Sequence, residues 1–168
     1  MIPVPQTTLA ALTGAYGIPS DAVKHFAGGG PEGDGVIYAY PHGGGRRLLK
    51  VMAMPAAESA RAFHRLEERL RFVRYLGDHG ARIVFPLLSP RGALYETSSD
   101  DEHLWVAYTM EMAPGRAPAQ DGWDEALFRG WGQAIGGLHR LAQGYPTWRS
   151  APDPVTGQPC LTWEEEWT

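Results

Sequence analysis

The sequence predicts an α+β domain: an antiparallel sheet of about five strands, interrupted by one long helix and followed by a second helical region. Three observations predict it. Three β-rich segments near the start are separated by short spacers rich in Gly and Pro, which suit hairpins and leave no room for crossovers. From Ala56 to Leu76 the apolar residues change to helical spacing. Two more β-rich segments follow before a second amphipathic stretch opens at Trp123. Hairpins with one inserted helix make an α+β sheet domain, not a series of βαβ units.

In order along the chain, "TTLAALTGAYG" predicts a short helix. Thr7 or Thr8 would cap it, Leu9, Leu12 and Tyr16 would share a face, and Gly17 would end it. The strands "AVKHFA", "GVIYAY" and "RRLLKVMAM" come next. In the second of them Val36, Tyr38 and Tyr40 point one way, Ile37 and Ala39 the other. The long helix carries Phe63, Leu66, Leu70 and Val73 on one face, and Gly77 and Gly80 are expected to end it. One strand then covers "VFPLLS" to "GALYET" and another "LWVAYTMEM", with "SSDDEH" as a solvated turn. The last helix spans Trp123 to Leu141, with Asp121 and Asp124 at its start and Leu127, Trp131, Ile135 and Leu138 as its apolar set.

Composition narrows the function. The chain has 168 residues, 43% hydrophobic and 20% charged, with a formal net charge of −4. That balance supplies no basic field, so no nucleic-acid partner is expected. No apolar run approaches the ~20 residues of a membrane span, and the N-terminus lacks signal-peptide character. A cytoplasmic protein without a membrane partner is expected. One cysteine, Cys160, cannot form an internal disulfide, and six histidines stand without ligand spacing, so no metal site built from protein ligands is expected.

The stretch "GGGPEGDG" spells G-x-G-x-x-G at Gly28, Gly30 and Gly33. It opens into "VIYAYP", a strand, whereas a dinucleotide-binding loop must open into a helix. No G-K-S or G-K-T follows either. Two readings remain: a plain hairpin turn, or a glycine-rich strand–loop–strand whose N–H groups approach phosphate closely because no Cβ intervenes. Of the 15 basic residues only Lys24 and Lys50 are lysine. Lys50 ends "RRLLK" inside an apolar strand pattern, where it would either meet an anion or snorkel at the sheet edge.

Five pieces in this order, "GGGPEGDGVIYAY", "RRLLKVM", "FVRYLGDHGARIVFPLLSPRG", "YTMEMAPGR" and "LFRGWGQAIGGLHRLA", resemble the aminoglycoside phosphotransferase and homoserine kinase-like family. The resemblance covers roughly Asp21 to Tyr145. It implies the smaller lobe of the protein-kinase-like fold in residues 1–112. Residues 113–168 would then supply the hinge and the first part of a helical larger lobe. It implies ATP and magnesium as cofactors, with the glycine loop over the phosphates and Lys50 on the α- and β-phosphates. Glu68, or its neighbour Glu67, would be the carboxylate partner of Lys50. Met110 would guard the rear of the adenine pocket, Glu111 would offer its carbonyl to the base and Ala113 its N–H. A final strand followed by a Pro/Gly turn would use the same letters.

The family's H-G-D-x-x-x-x-N segment and its later I-D-F/W-D segment are both absent, so no catalytic residue is assigned in this chain. The expectation is the N-terminal fragment of an ATP-dependent phosphotransferase. It would act on a hydroxyl acceptor such as an aminoglycoside, amino alcohol or sugar, with the magnesium ligands beyond Thr168. Residues 1–168 alone are expected to be inactive and to self-associate. The alternative is a non-catalytic nucleotide-binding or interaction module derived from the same fold.

Overall fold

A computed structural model of the chain describes residues 3–30, 35–55, 59–115 and 122–146, together with the single positions 152 and 157. Helix α1 spans Gln6–Ala15 and starts directly after Pro5, with no side-chain cap. Thr7 and Thr8 therefore lie inside the helix and do not cap it. The reason is Pro5, whose fixed φ of −58° ends the preceding extended chain and whose carbonyl accepts from the Leu9 N–H at 2.9 Å. The other end is as expected. Gly17 takes φ +67°, Gly17 N–H bonds Gly14 O at 3.0 Å, and Ile18 N–H bonds Thr13 O at 2.9 Å, the two bonds of a Schellman turn.

Strands β1 (Lys24–Gly30), β2 (Gly35–His42) and β3 (Gly45–Pro55) form consecutive antiparallel hairpins. Helix α2 (Ser59–Asp78) follows, then the short strands β4 (Pro86–Leu87) and β5 (Glu96–Ser99), and the long β6 (His103–Glu111). The sheet runs β1-β2-β3-β6-β4, and β5 pairs with β6 beyond β4. Among the described residues it thus has six strands, because the segment predicted as one strand divides. Between β4 and β5 the chain turns at Pro90–Gly92, where Ser89 N–H bonds Ala93 O at 2.7 Å and Gly92 takes φ +79°. The acidic run behaves as a turn only from Asp100, since Ser98 and Ser99 complete β5. Asp100 accepts from the N–H groups of Glu102 and His103 and from Trp105 Nε1 at 2.6 Å.

Register decides which residues share a face. The core beneath α1 gathers Leu12 and Ile18 with Tyr40, Leu49, Val51, Ala53, Trp105 and Ala107. Tyr16 secures the helix there by donating its hydroxyl to Ala107 O at 2.9 Å. The alternate residues of β3, namely Leu48, Lys50, Met52 and Met54, point to the opposite face. Leu48, Met54 and Val106 are buried on that side, where α2 packs against β3 and β4. Gly77 does not end α2. It lies within the helix, where an added Cβ would stand 2.3 Å from the Phe85 ring, so glycine is required there for close packing. Gly80, at φ +88°, makes the turn, with Ala81 N–H bonding Leu76 O. Arg74 ties α2 to β4 by donating to Asp78 and to Pro86 O.

Helix α3 (Glu125–Gln143) is capped by Asp124, which accepts from Leu127 N–H at 2.8 Å. The predicted helix starts at residues 56–58 and at Asp121 fall outside the described residues. At the far end of α3, Tyr145 meets Phe72 and Tyr75 of α2 edge-on. No described helix is long and apolar enough to cross a membrane.

Candidate functional site

The base of the glycine loop is a place where side chains do not fit. Gly28 takes φ +98°, and a Cβ on it would fall 2.2 Å from Gly35 O. Gly35 takes φ +87°, and a Cβ there would lie 2.8 Å from Val51 O, 2.9 Å from Met52 Cγ and 3.1 Å from Lys50 Cε. Gly30 pairs with Gly35 to close the hairpin. Gly33 lies outside the described residues. The glycines thus let β1 and β2 approach each other and leave room along β3 for the Lys50 stem.

Lys50 stands mid-strand, with Ile37 of β2 on one side and Tyr108 of β6 on the other. Residues opposite each other in adjacent strands project to the same face. The next row on that face is Ala39, Leu48 and Met110, with Pro86 of β4 beyond. An apolar floor therefore runs from Met110 towards Lys50. Lys50 is half-buried, and burial pushes the Tyr108 hydroxyl above its ordinary pKa. In that row Ala39 and Leu48 are buried, while Met110, like Lys50, is partly exposed.

The two glutamates of α2 have different surroundings. Glu67 accepts from Arg71 at 2.5 Å, and burial, with a contribution from Glu67, raises the pKa of Tyr95. The Arg71 pKa is raised chiefly by its hydrogen bond to Glu67. Glu68 is 4% exposed, and among the described residues its Oε2 has no hydrogen-bond partner. Its other oxygen lies 3.9 Å from Arg71 Nε. No ion pair joins Lys50 to either glutamate among the described residues.

At the end of β6, Met110 faces the same side as Lys50. Glu111 does not: its side chain is on the α1 side and exposed, bonded to Arg47 Nε at 2.8 Å and Nη2 at 2.7 Å. Ala113 is exposed, two residues past the strand. The structure thus brings Lys50 and Met110 to one face, sets the Glu111 side chain on the other, buries Glu68, and leaves Gly28 and Gly30 in the β1–β2 hairpin. Gly35, Ile37, Leu48 and Tyr108 were not singled out from the sequence. Period-two counting from Lys50 would have found Leu48. Ile37 and Tyr108 required the strand register, which the letters do not carry. Among the described residues, no three His, Cys, Asp or Glu side chains are grouped so as to hold a metal ion.

No protein-family model and no curated protein matches the sequence. Solved structures do match the fold. The amicoumacin kinase hAmiN, in complex with AMP-PNP, Ca2+ and Ami, superposes with a TM-score of 0.67 at 24% identity, over 94% of this chain and 43% of its own. A microcompartment-associated aminopropanol kinase gives 0.60 at 16% identity, over 96% of this chain and 44% of its own. The chain has the fold of the N-terminal lobe of kinase-like phosphotransferases. It spans less than half the length of either structure. The expected kinase-like α+β lobe is borne out, and both of these neighbours are small-molecule kinases.

Proposed function

We propose that this chain is the nucleotide-holding N-terminal part of an ATP-dependent small-molecule phosphotransferase, with residues 1–112 as the lobe and 113–168 as the hinge and the start of the helical part. The observation that carries the reading is Lys50, which projects from the middle of the sheet beside a glycine gap and in line with an apolar floor. Those features fit ATP. Leu48, Ala39 and Met110 would lie against adenine, the backbone at Glu111 and Ala113 would meet its edge, and Lys50 would contact the phosphates. Glu68, buried with an unpartnered oxygen, is the fitting carboxylate for Lys50 once the two approach. Bound ATP supplies the phosphoryl group, and magnesium neutralises its charge; the protein contributes position and electrostatics. The acceptor is proposed to be an alcohol on an aminoglycoside, amino alcohol or sugar. The AMP-PNP and Ca2+ in the hAmiN complex support a nucleotide and a divalent ion.

The test is a nucleotide titration of the whole protein. Lys50→Met should weaken ATP binding by well over tenfold, since a charge-assisted contact contributes about 1.5–3 kcal/mol. Lys24→Met, on edge strand β1, should change it little. Equal small effects from both would remove Lys50 from the site. Residues 1–168 alone should show no magnesium-dependent ADP release with any alcohol acceptor. Release that disappears in Lys50→Met would mean that a catalytic base exists within these residues.

A further inference from the structure

The ion pair between Arg47 and Glu111 sits where the chain leaves the sheet. Glu111 is the last residue of β6. On the β4 side the pairing already stops at Met110, opposite Pro86, and a proline offers no N–H to extend it. Among the described residues, Glu111 is therefore paired on one side only, with Arg47. Its side chain adds the remaining restraint, since Nε and Nη2 of Arg47 converge on the same carboxylate oxygen at 2.8 and 2.7 Å. Tyr40 is buried directly opposite Arg47 on β2, and Thr109 is buried on the same face of β6. Tyr40, Thr109 and the ion pair form one corner between β2, β3 and the end of β6. By register this corner lies on the α1 face, across the sheet from Lys50.

We propose that Arg47 is a positioning residue for the base. By holding the Glu111 side chain back against the sheet, it sets the direction in which Glu111 to Ala113 leave β6, and with it the backbone groups that meet adenine. The inference rests on the nucleotide reading above. Arg47 touches no ligand; it acts through Glu111. The ion pair is partly exposed, so it contributes little to overall stability, which makes its effect on binding separable from an effect on folding.

Adenosine is the discriminating probe, because it has the base but no phosphate for Lys50. In titrations of the full chain, Arg47→Met should weaken adenosine and ATP by the same factor, about three- to tenfold, as expected when a restraint on orientation is lost. Lys50→Met should weaken ATP and leave adenosine unchanged. The exchanged pair Arg47→Glu with Glu111→Arg should restore most of the adenosine affinity, and Arg47→Lys should fall between. Hydrogen exchange at the Met112 and Ala113 amides should quicken in Arg47→Met, while the thermal midpoint moves little. An unaltered adenosine affinity in Arg47→Met, or a loss confined to ATP, overturns the inference and leaves the nucleotide reading standing. So does an exchanged pair that folds but does not recover binding. A parent chain that binds neither adenosine nor ATP overturns the nucleotide reading, and this inference with it.

Discussion

Neighbouring residues of β3 have opposite surroundings. Leu49 and Val51 are fully enclosed beneath α1, in a core whose polar groups are matched: Trp105 donates to Asp100, Tyr16 to Ala107 O, and Thr13 to Leu9 O. One residue away, Lys50 and Met52 are only half-buried on the opposite face. A face that satisfies its own polar groups has finished its work on folding. In α2, by contrast, the buried Glu68 Oε2 is left unmatched among the described residues. Substitutions on the two sides of β3 should therefore separate stability from binding.

The largest effect belongs to the enclosed side. Trp105 is 1% exposed at the centre of the α1 core, so Trp105→Ala should cost about 3–5 kcal/mol. Urea unfolding followed by far-UV dichroism would read this directly, and a loss below about 1 kcal/mol would show that the core is not centred there. Next comes the contrast between the glutamates. Glu68→Gln should weaken ATP binding about tenfold, near 1.4 kcal/mol, with little loss of stability because its Oε2 has no bond to lose. Glu67→Gln should leave ATP binding within about twofold, since that carboxylate serves Arg71 and Tyr95. The reverse ranking would transfer the Lys50 partnership to Glu67.

Alkaline pH sharpens the comparison from the enclosed side. Burial, with a smaller contribution from Tyr40, pushes the Tyr16 hydroxyl far above its ordinary value. The folded state therefore keeps this proton when the unfolded chain has released it, so stability is complete below about pH 10 and falls as pH rises beyond it. Tyr16→Phe should cost about 1 kcal/mol at neutral pH through the lost bond to Ala107 O. It should also flatten the fall above pH 10. An equally steep fall in the variant would assign the alkaline loss to Tyr38, Tyr40, Tyr95 or Tyr108, which burial also shifts upward.

The legibility of the sequence follows the same division. Hairpins, the long helix and the mid-strand place of Lys50 were readable because they rest on local rules, Gly/Pro punctuation and apolar period. What escaped was set by contacts distant in sequence. Gly77 reads as a helix stop until Phe85 is placed against it, and Gly35 reads as the end of a loop until the Lys50 stem crosses it. The choice between Glu67 and Glu68 depends on which way α2 is rotated, and two adjacent acidic letters do not encode that rotation. Arg47 and Glu111 are 64 positions apart in sequence, and only the β3–β6 register makes them partners.

The smallest effect on stability, and the clearest on solution behaviour, is expected on α3. Helix α1 uses its apolar residues: Leu12 is buried, with Leu9 packed against the same core. Helix α3 has a stronger apolar face and leaves much of it open, with Trp123, Leu127, Phe128 and Trp131 exposed, the last at 55%. The three rings lie together, Trp123 being 5.2 Å from Phe128 and 6.2 Å from Trp131 between centroids. A clustered aromatic patch favours association in water. Because these side chains add little to the folded core, Phe128→Ser with Trp131→Ser should change the unfolding free energy by no more than about 0.5–1 kcal/mol. The same pair should shift residues 1–168 towards monomer in sedimentation velocity, in proportion to the ring area removed. Association that persists unchanged would place the contact elsewhere, with edge strand β1 and its exposed Phe26 as the next surface to alter.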